Sequence, residues 1–341
     1  MFSIHGHEHA VNLLNRALAA RHLHHAYLIS GPNHIGKTTL AIQIAQAINC
    51  ENIEPPCQHC QSCLRIHNGL HADVVRIGLT FIDEAQQNIP IDSIRELKRS
   101  ASLKPYEGRV RVYVIEEAER LSIPAMNALL KTLEEPPPDT ILILLTSDAS
   151  SLPATIVSRC MQLILKPLPI SSVEYILQKQ YDFGADESRE LARLSRGCIG
   201  WALKSIENPE PLASLHQKLE RIANVCESEI ASRFAYSDDL ARRFQRDRNE
   251  ARNELYLWLS WWRDILLINQ GHRSEIVHSS WEQTLGKLSG KVTNEELVSW
   301  VHTIMKTIEA LEHNANPRLA LEVMMLDLPI VQATNTTSSK S

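Results

Sequence analysis

The chain has no excess of positive charge: 35 lysines and arginines stand against 40 acidic residues, a formal net charge of -5. That balance excludes a protein that coats DNA by bulk charge, while leaving room for a local basic face within an assembly. No apolar run approaches the roughly 20 residues a membrane-spanning helix needs, so no membrane partner is expected. The start, MFSIHGHEHAVNLLNRAL, lacks the basic segment, apolar stretch and small-residue cleavage site of a secretory leader, and the expected location is cytoplasmic. Aromatics are few, at 5%, and with 44% apolar and 22% charged residues the composition is that of a soluble, mostly helical protein. There is no internal repeat, so the 341 residues are expected to form two or three domains, each with its own interior.

What is present begins with alternation. HAYLIS (25–30) is a short apolar run, a glycine loop follows it, and TTLAIQIAQAI (38–48) then carries apolar residues at helical spacing. RVRVYVIEE (109–117) and DTILILLTS (139–147) are further β-branched runs, separated by SIPAMNALLKTLEE (122–135), whose Leu, Ala and Met positions fit one helix face. Strands alternating with helices imply a mostly parallel sheet covered on both sides. The β pattern stops near residue 166, and KPLPI (166–170) reads as a hinge. Three short amphipathic helices are expected over 171–208, the middle one with Asp186 as N-cap. NPEPL (208–212) punctuates again, long helices such as NELYLWLSWWRDILLI (253–268) follow, and ATNTTSSKS ends the chain as a polar tail not expected to fold.

Residues 31–38, GPNHIGKT, match GxxxxGK[ST] between a strand and a helix, the context in which backbone N–H groups at a helix N-terminus cradle phosphate. Gly31 and Gly36 shape the loop, Lys37 reaches the outer phosphates, and the Thr38 hydroxyl, with Thr39 beside it, stands where Mg²⁺ would accompany ATP. Hydrolysis needs acids at the end of a neighbouring strand, one for the metal and one for the attacking water. VYVIEE puts Glu116 and Glu117 there. The first of these is usually Asp; Glu116 is one methylene longer and would push the metal away or need an intervening water.

Four of the seven cysteines, Cys50, Cys57, Cys60 and Cys63, fall within fourteen positions, while Cys160, Cys198 and Cys226 stand apart. In a reducing compartment that crowding favours metal ligation over disulfides. Four thiolates suit tetrahedral Zn²⁺ in a structural role; CxxCxxC also occurs in iron–sulfur proteins, but no fourth cysteine follows closely. The histidines of HGHEHA and RHLHH match no HExxH pattern and read as solvated or capping. Trp258, Trp261 and Trp262 share one helix face and read as core or interface, and Lys98, Arg99 and Lys104 as a solvated charged face.

The stretch NALLKTLEEPPPDTILILLTSDASSLPATIVSRC (127–160), together with LLNRALAARHLHHAYLISGP and its GKTTLA continuation, resembles the bacterial replicative clamp-loader AAA+ family of the DNA polymerase III holoenzyme. Strong motifs cover residues 4–166, and GCIGWAL and NPRLALEVMML extend the resemblance to residue 328. The resemblance implies an α/β AAA+ P-loop domain (1–166) with a zinc-module insert at about 50–64. A small helical lid domain (167–208), an all-α collar domain (209–331) and a tail (332–341) would follow. Zinc is favoured at the cysteines, although the gap from Cys50 to Cys57 is shorter than the family's usual one. Glu-Glu-Ala-Glu at the second strand, Gly200-Trp201 where gamma/tau subunits carry a Gly-Ser pair and a sensor arginine, and no long C-terminal extension all resemble the delta-prime branch.

The implied function is that of a subunit which, with gamma/tau and delta partners, assembles the complex that loads the sliding clamp onto primed DNA. In this family the Ser158-Arg159-Cys160 triplet presents its arginine to the nucleotide of a neighbouring subunit, and Thr146 takes the place of a polar sensor. The alternative is a gamma/tau-like subunit that hydrolyses its own ATP through Lys37, Thr38, Glu116 and Glu117. A third reading is an ATP-dependent DNA remodeller that needs no partner subunits.

Overall fold

The computed structural model describes residues 2–20, 22–81, 88–208 and 210–329; the expected polar tail lies outside the described residues. The chain divides into two compact units, Met1–Val173 with Gly197–Trp201, and Glu174–Arg196 with Ala202–Ser341.

The first unit is built on α1 (Glu8–Ala19), β1 (Ala26–Ser30), α2 (Lys37–Asn49), α3 (Gln61–His67), β2 (Val74–Ile77), α4 (Ile91–Ala101), β3 (Arg111–Ile115), α5 (Ile123–Glu134), β4 (Thr140–Thr146), α6 (Ala154–Val157) and β5 (Met161–Ile164). The strands form one sheet in the order β2-β3-β4-β1-β5, parallel at every pairing. β1, β3 and β4 are buried at every residue, which is why they read as unbroken apolar runs. The edge strands VVRI and MQLI were not expected from sequence: each is four residues long and leaves Val75, or Gln162 and Ile164, exposed.

Successive residues of a strand face opposite sides, so Val112 and Val114 pack with Leu14, Leu40 and Ile44, while Tyr113 and Ile115 pack with Ile94, Leu97, Leu129 and Leu133. Both faces of the sheet are therefore covered, as the alternation of elements requires. The second half of α2 is buried on every side, including Gln43, Gln46 and Asn49. Its polar groups are all used. Gln46 Nε2 donates to the Cys63 carbonyl (2.9 Å), and Asn49 Oδ1 accepts from the amides of Arg109 (2.8 Å) and Val110 (3.1 Å).

Nearby, the carboxylate of Asp73, 0% exposed, accepts from the amides of Tyr106, Glu107 and Gly108 at 2.8–2.9 Å and from Arg111 Nη2 at 2.9 Å. It organises residues 106–108. Burial works against its charge, but those amides and then Arg111 overcome it and lower its pKa to about 2.

Helices α7 (Ile170–Gln180), α8 (Ala185–Leu194) and α9 (Ile199–Glu207) follow, and the boundary between units runs within α7 and α9. Asp186 is not an N-cap: Gly184 holds that position, and Asp186 lies in the first turn, where a negative charge still favours the helix dipole. The second unit continues with α10 (Glu210–Cys226), α11 (Ile230–Arg246), α12 (Arg248–Asn269), α13 (Glu282–Ser289), α14 (Asn294–Glu312) and α15 (Pro317–Leu326). Trp258, Trp261 and Trp262 are fully buried in its core, with Trp258 and Trp262 each edge-on to Trp300. Their shared helix face is thus a packing face.

Candidate functional site

The phosphate-type loop leaves β1 at the carboxyl edge of the sheet, where parallel α/β sheets place ligands. The Gly31 amide donates to the Thr146 carbonyl at 3.3 Å, which ties the loop to the end of β4. Gly31 has φ 151, and a Cβ there would stand 2.4 Å from the Leu165 carbonyl oxygen, so only glycine fits. Gly36, at φ 108, is the N-cap of α2. Lys37 turns its ammonium into its own loop, donating to the carbonyls of Gly31 (2.6 Å) and Pro32 (3.0 Å). Burial lowers its pKa, and electrostatic contributions from Glu119, Cys198 and Glu117 offset part of that shift. Thr38 is half-buried in the first turn and Thr39 is exposed.

The first turn of α9 closes on this loop by backbone. The Gly200 amide donates to the His34 carbonyl at 3.0 Å, and a Cβ on Gly200 would lie 2.6 Å from that oxygen. Glycine at 200 is therefore a condition of the contact.

The acids at the end of β3 are arranged differently from the sequence expectation. Glu116 faces Arg76 of β2, whose Nη2 and Nε reach its Oε1 at 2.6 and 2.7 Å. That guanidinium also lies over the Phe81 ring, 5.0 Å from its centroid. Glu117 is exposed and left-handed (φ 49, ψ 54), heading the turn Ala118–Arg120. Glu119, the last acid of the Glu-Glu-Ala-Glu stretch, accepts from Ser147 Oγ (2.7 Å) and the Ser147 amide (3.2 Å). Its other oxygen, Oε2, is buried and has no partner among the described residues. The hydroxyl of Thr146 is spent on its own turn, donating to the Asp148 carbonyl at 2.9 Å. The signal that could have found Glu119 is its spacing: three residues beyond Glu116, a short turn returns a side chain to the same strand end.

Arg159 lines a cavity of about 470 Å³ together with His24, His25, Glu134, Ser158 and Cys160. Its Nη1 donates to the Thr155 carbonyl (2.8 Å) and its Nη2 pairs with Glu134 Oε1 (2.7 Å). The two side chains are 35% and 49% exposed. A pair that open to water is worth about 0.2–1 kcal/mol, so a multiply charged phosphate can compete for the guanidinium. His24 and His25 stack at 4.5 Å and hydrogen-bond to backbone carbonyls; they do not gather as ligands.

The four clustered cysteines do gather. Cys50 follows the last residue of α2, Cys60 caps α3, and Cys63 is buried within it. All four sulfurs lie within 4.8 Å of one another. Four thiolates at about 2.3 Å from a tetrahedral ion stand about 3.8 Å apart; Cys57 and Cys63 are 3.9 Å apart. The Cys60 amide points to Cys57 Sγ (3.3 Å) and the Cys63 amide to Cys60 Sγ (3.4 Å). At Cys57 partial desolvation is outweighed by the neighbouring amides of His59 and Cys60, and the thiol falls to about 6. Cys50 belongs to the set geometrically, despite its short gap. Cys160 and Cys226 are isolated and buried, and burial raises both thiols.

Residues 6–169 match the family model described as DNA polymerase III, delta subunit, and residues 238–329 match the model for the C terminus of that subunit. The chain belongs to the DNA polymerase III subunit family that these two models describe. Within that family it is 27% identical to subunit delta' of Bacillus subtilis over 319 residues, covering 93% of this chain and 94% of the relative. It is 38% identical to subunit tau of Salmonella typhimurium over 201 residues, or 57% of this chain and 30% of that one. It is 34% identical to subunit gamma of Buchnera aphidicola over 227 residues, 64% of this chain and 61% of the relative. The chain thus spans less than two thirds of these tau and gamma relatives. A solved gamma subunit-related protein from Thermotoga maritima overlaps 92% of this chain and 97% of its own, at 18% identity and a TM-score of 0.47.

Proposed function

We propose that the chain is a delta-prime-type clamp-loader subunit: an assembly component that completes a neighbour's ATP site with Arg159 and does not itself drive turnover. The observation that carries this reading is the Arg76–Glu116 pair. The acid that a hydrolytic site needs for its metal already has a cation at 2.6 Å, whereas Arg159 is held by a solvent-exposed pair alone beyond its own helix turn. The overlap with subunit delta' along almost the whole of both chains supports the same choice.

On this reading the chain is an AAA+ α/β domain (1–166) with its zinc module, a helical lid (167–208) and a helical collar (209–331). It works in a hetero-oligomer with gamma/tau and delta subunits that places the sliding clamp on primed DNA. Backbone amides of the loop, Lys37 and Thr38 would hold the phosphates of a resident nucleotide. Arg159 would lend its guanidinium to charge developing on a phosphoryl group bound next door, a contribution worth about 10³ to 10⁵ in rate at such sites. Cys50, Cys57, Cys60 and Cys63 would hold a closed, structural Zn²⁺, since four protein ligands leave no open position for water. In the reconstituted complex, Arg159→Ala is expected to depress ATP hydrolysis and Lys37→Ala to leave most of it. The opposite ranking would establish the gamma/tau-like alternative instead.

A further inference from the structure

The end of β3 offers three carboxylates, and the structure separates them by what each is free to do. Glu116 has its charge matched by Arg76. Glu117 is turned out to solvent on a left-handed residue. Glu119 is anchored through one oxygen to the amide and hydroxyl of Ser147. Ser147 directly follows Thr146, whose carbonyl receives the Gly31 amide of the phosphate-type loop. Glu119 is therefore held beside that loop, with Oε2 buried and without a partner among the described residues. A carboxylate oxygen removed from water without a donor or cation costs free energy, and the cost is recovered when a cation arrives.

Glu119 is the foremost of the charged groups acting on Lys37. Yet Lys37 is committed to the Gly31 and Pro32 carbonyls. Mg²⁺ characteristically binds through one or two carboxylates together with substrate phosphates. One carboxylate oriented by Ser147, with a buried Oε2 that has no partner among the described residues, and the Thr38 hydroxyl in the first turn of α2 fit that habit.

We propose that Glu119, in place of Glu116, supplies the protein carboxylate for the Mg²⁺ that accompanies a nucleotide on this loop. The proposal rests on the reading that residues 31–38 bind nucleotide phosphates. It assigns the metal to a residue outside the Glu116-Glu117 pair, and it gives the site a way to hold Mg²⁺-nucleotide while Glu116 stays locked to Arg76.

The test is ATP binding to the full chain by calorimetric titration, with Mg²⁺ and with EDTA, for the parent protein, Glu119→Gln, Glu119→Asp, Glu116→Gln and Lys37→Ala. Glutamine keeps an acceptor for Ser147 and removes the charge, so the strand end stays in place; thermal unfolding checks that it does. Glu119→Gln is expected to lower affinity about 10- to 100-fold in Mg²⁺ and to leave the value in EDTA unchanged. Glu119→Asp should recover part of the loss, and Glu116→Gln should change neither value more than about twofold, within the scatter of neutral substitutions. An undiminished Mg²⁺ effect in Glu119→Gln, or its disappearance in Glu116→Gln, overturns the proposal. Absence of ATP binding by the parent chain, or binding insensitive to Lys37→Ala, overturns the reading of the loop itself.

Discussion

Replacing Asp73 with asparagine tests the electrostatic account of residues 106–108, whose Glu107 pairs with Arg65 of α3. The carboxylate is fully buried, takes three amides and the Arg111 guanidinium, and titrates near 2 against an ordinary value of 3.8. Because the folded-state pKa is depressed, the contribution is complete above the unfolded value and is lost as pH falls through the folded one. A difference of nearly two pKa steps corresponds to about 2 kcal/mol, of which about 1 kcal/mol is gone by roughly pH 3. At neutral pH, Asp73→Asn also removes the anionic partner of Arg111, which keeps the carbonyls of Ser100 and Lys104 and its hydrogen bond with Tyr113. Breaking a buried pair from one side costs about 3–5 kcal/mol. Urea unfolding of both proteins at intervals from neutral pH to about pH 3 should show that gap shrinking by about 1 kcal/mol. A gap that stays constant across the range refutes the assignment of Asp73 as an ionised anchor.

Two further outcomes are expected. Glu134→Gln releases Arg159 from its partner, and if the pair competes with a neighbour's phosphate, ATP hydrolysis by the reconstituted complex should rise about 1.4- to 5-fold, the equivalent of 0.2–1 kcal/mol; an unchanged or lower rate would make Glu134 a support for the arginine. Cys63→Ser should remove one equivalent of zinc, read by a colourimetric chelator on the denatured protein, and lower the unfolding temperature; full zinc content in this variant would rule out a four-thiolate site.

The central strands and the helices around them were legible because burial on both faces demands unbroken apolar runs, as in YLI of β1 and TILILL of β4. The edge strands were not, because an edge tolerates residues such as Val75 and Gln162 in solvent and loses its pattern within four positions. The gathering of Cys57, Cys60 and Cys63 was readable from spacing, since short chain separations force the sulfurs together, whereas the place of Cys50, with its short gap to Cys57, was legible only in the structure. The strand-end acids were only half readable. Sequence puts Glu116 and Glu117 in the right place but carries no sign that Arg76, forty residues earlier, will neutralise the first of them. Glu119 stayed hidden for the same reason: its use depends on Ser147, which only the parallel pairing of β1 with β4 brings to the loop.

Helix α2 has its head in the phosphate-type loop and its foot in the cysteine module. Lys37 opens it, Asn49 closes it, and Cys50 is the next residue. At 13 residues it is about 20 Å long. Buried around its lower half, it is tied through Gln46 to α3 and through Asn49 to residues 109–110. On the proposed reading of the loop, a nucleotide bound at its head and a metal held at its foot would share this one helix as their common reference.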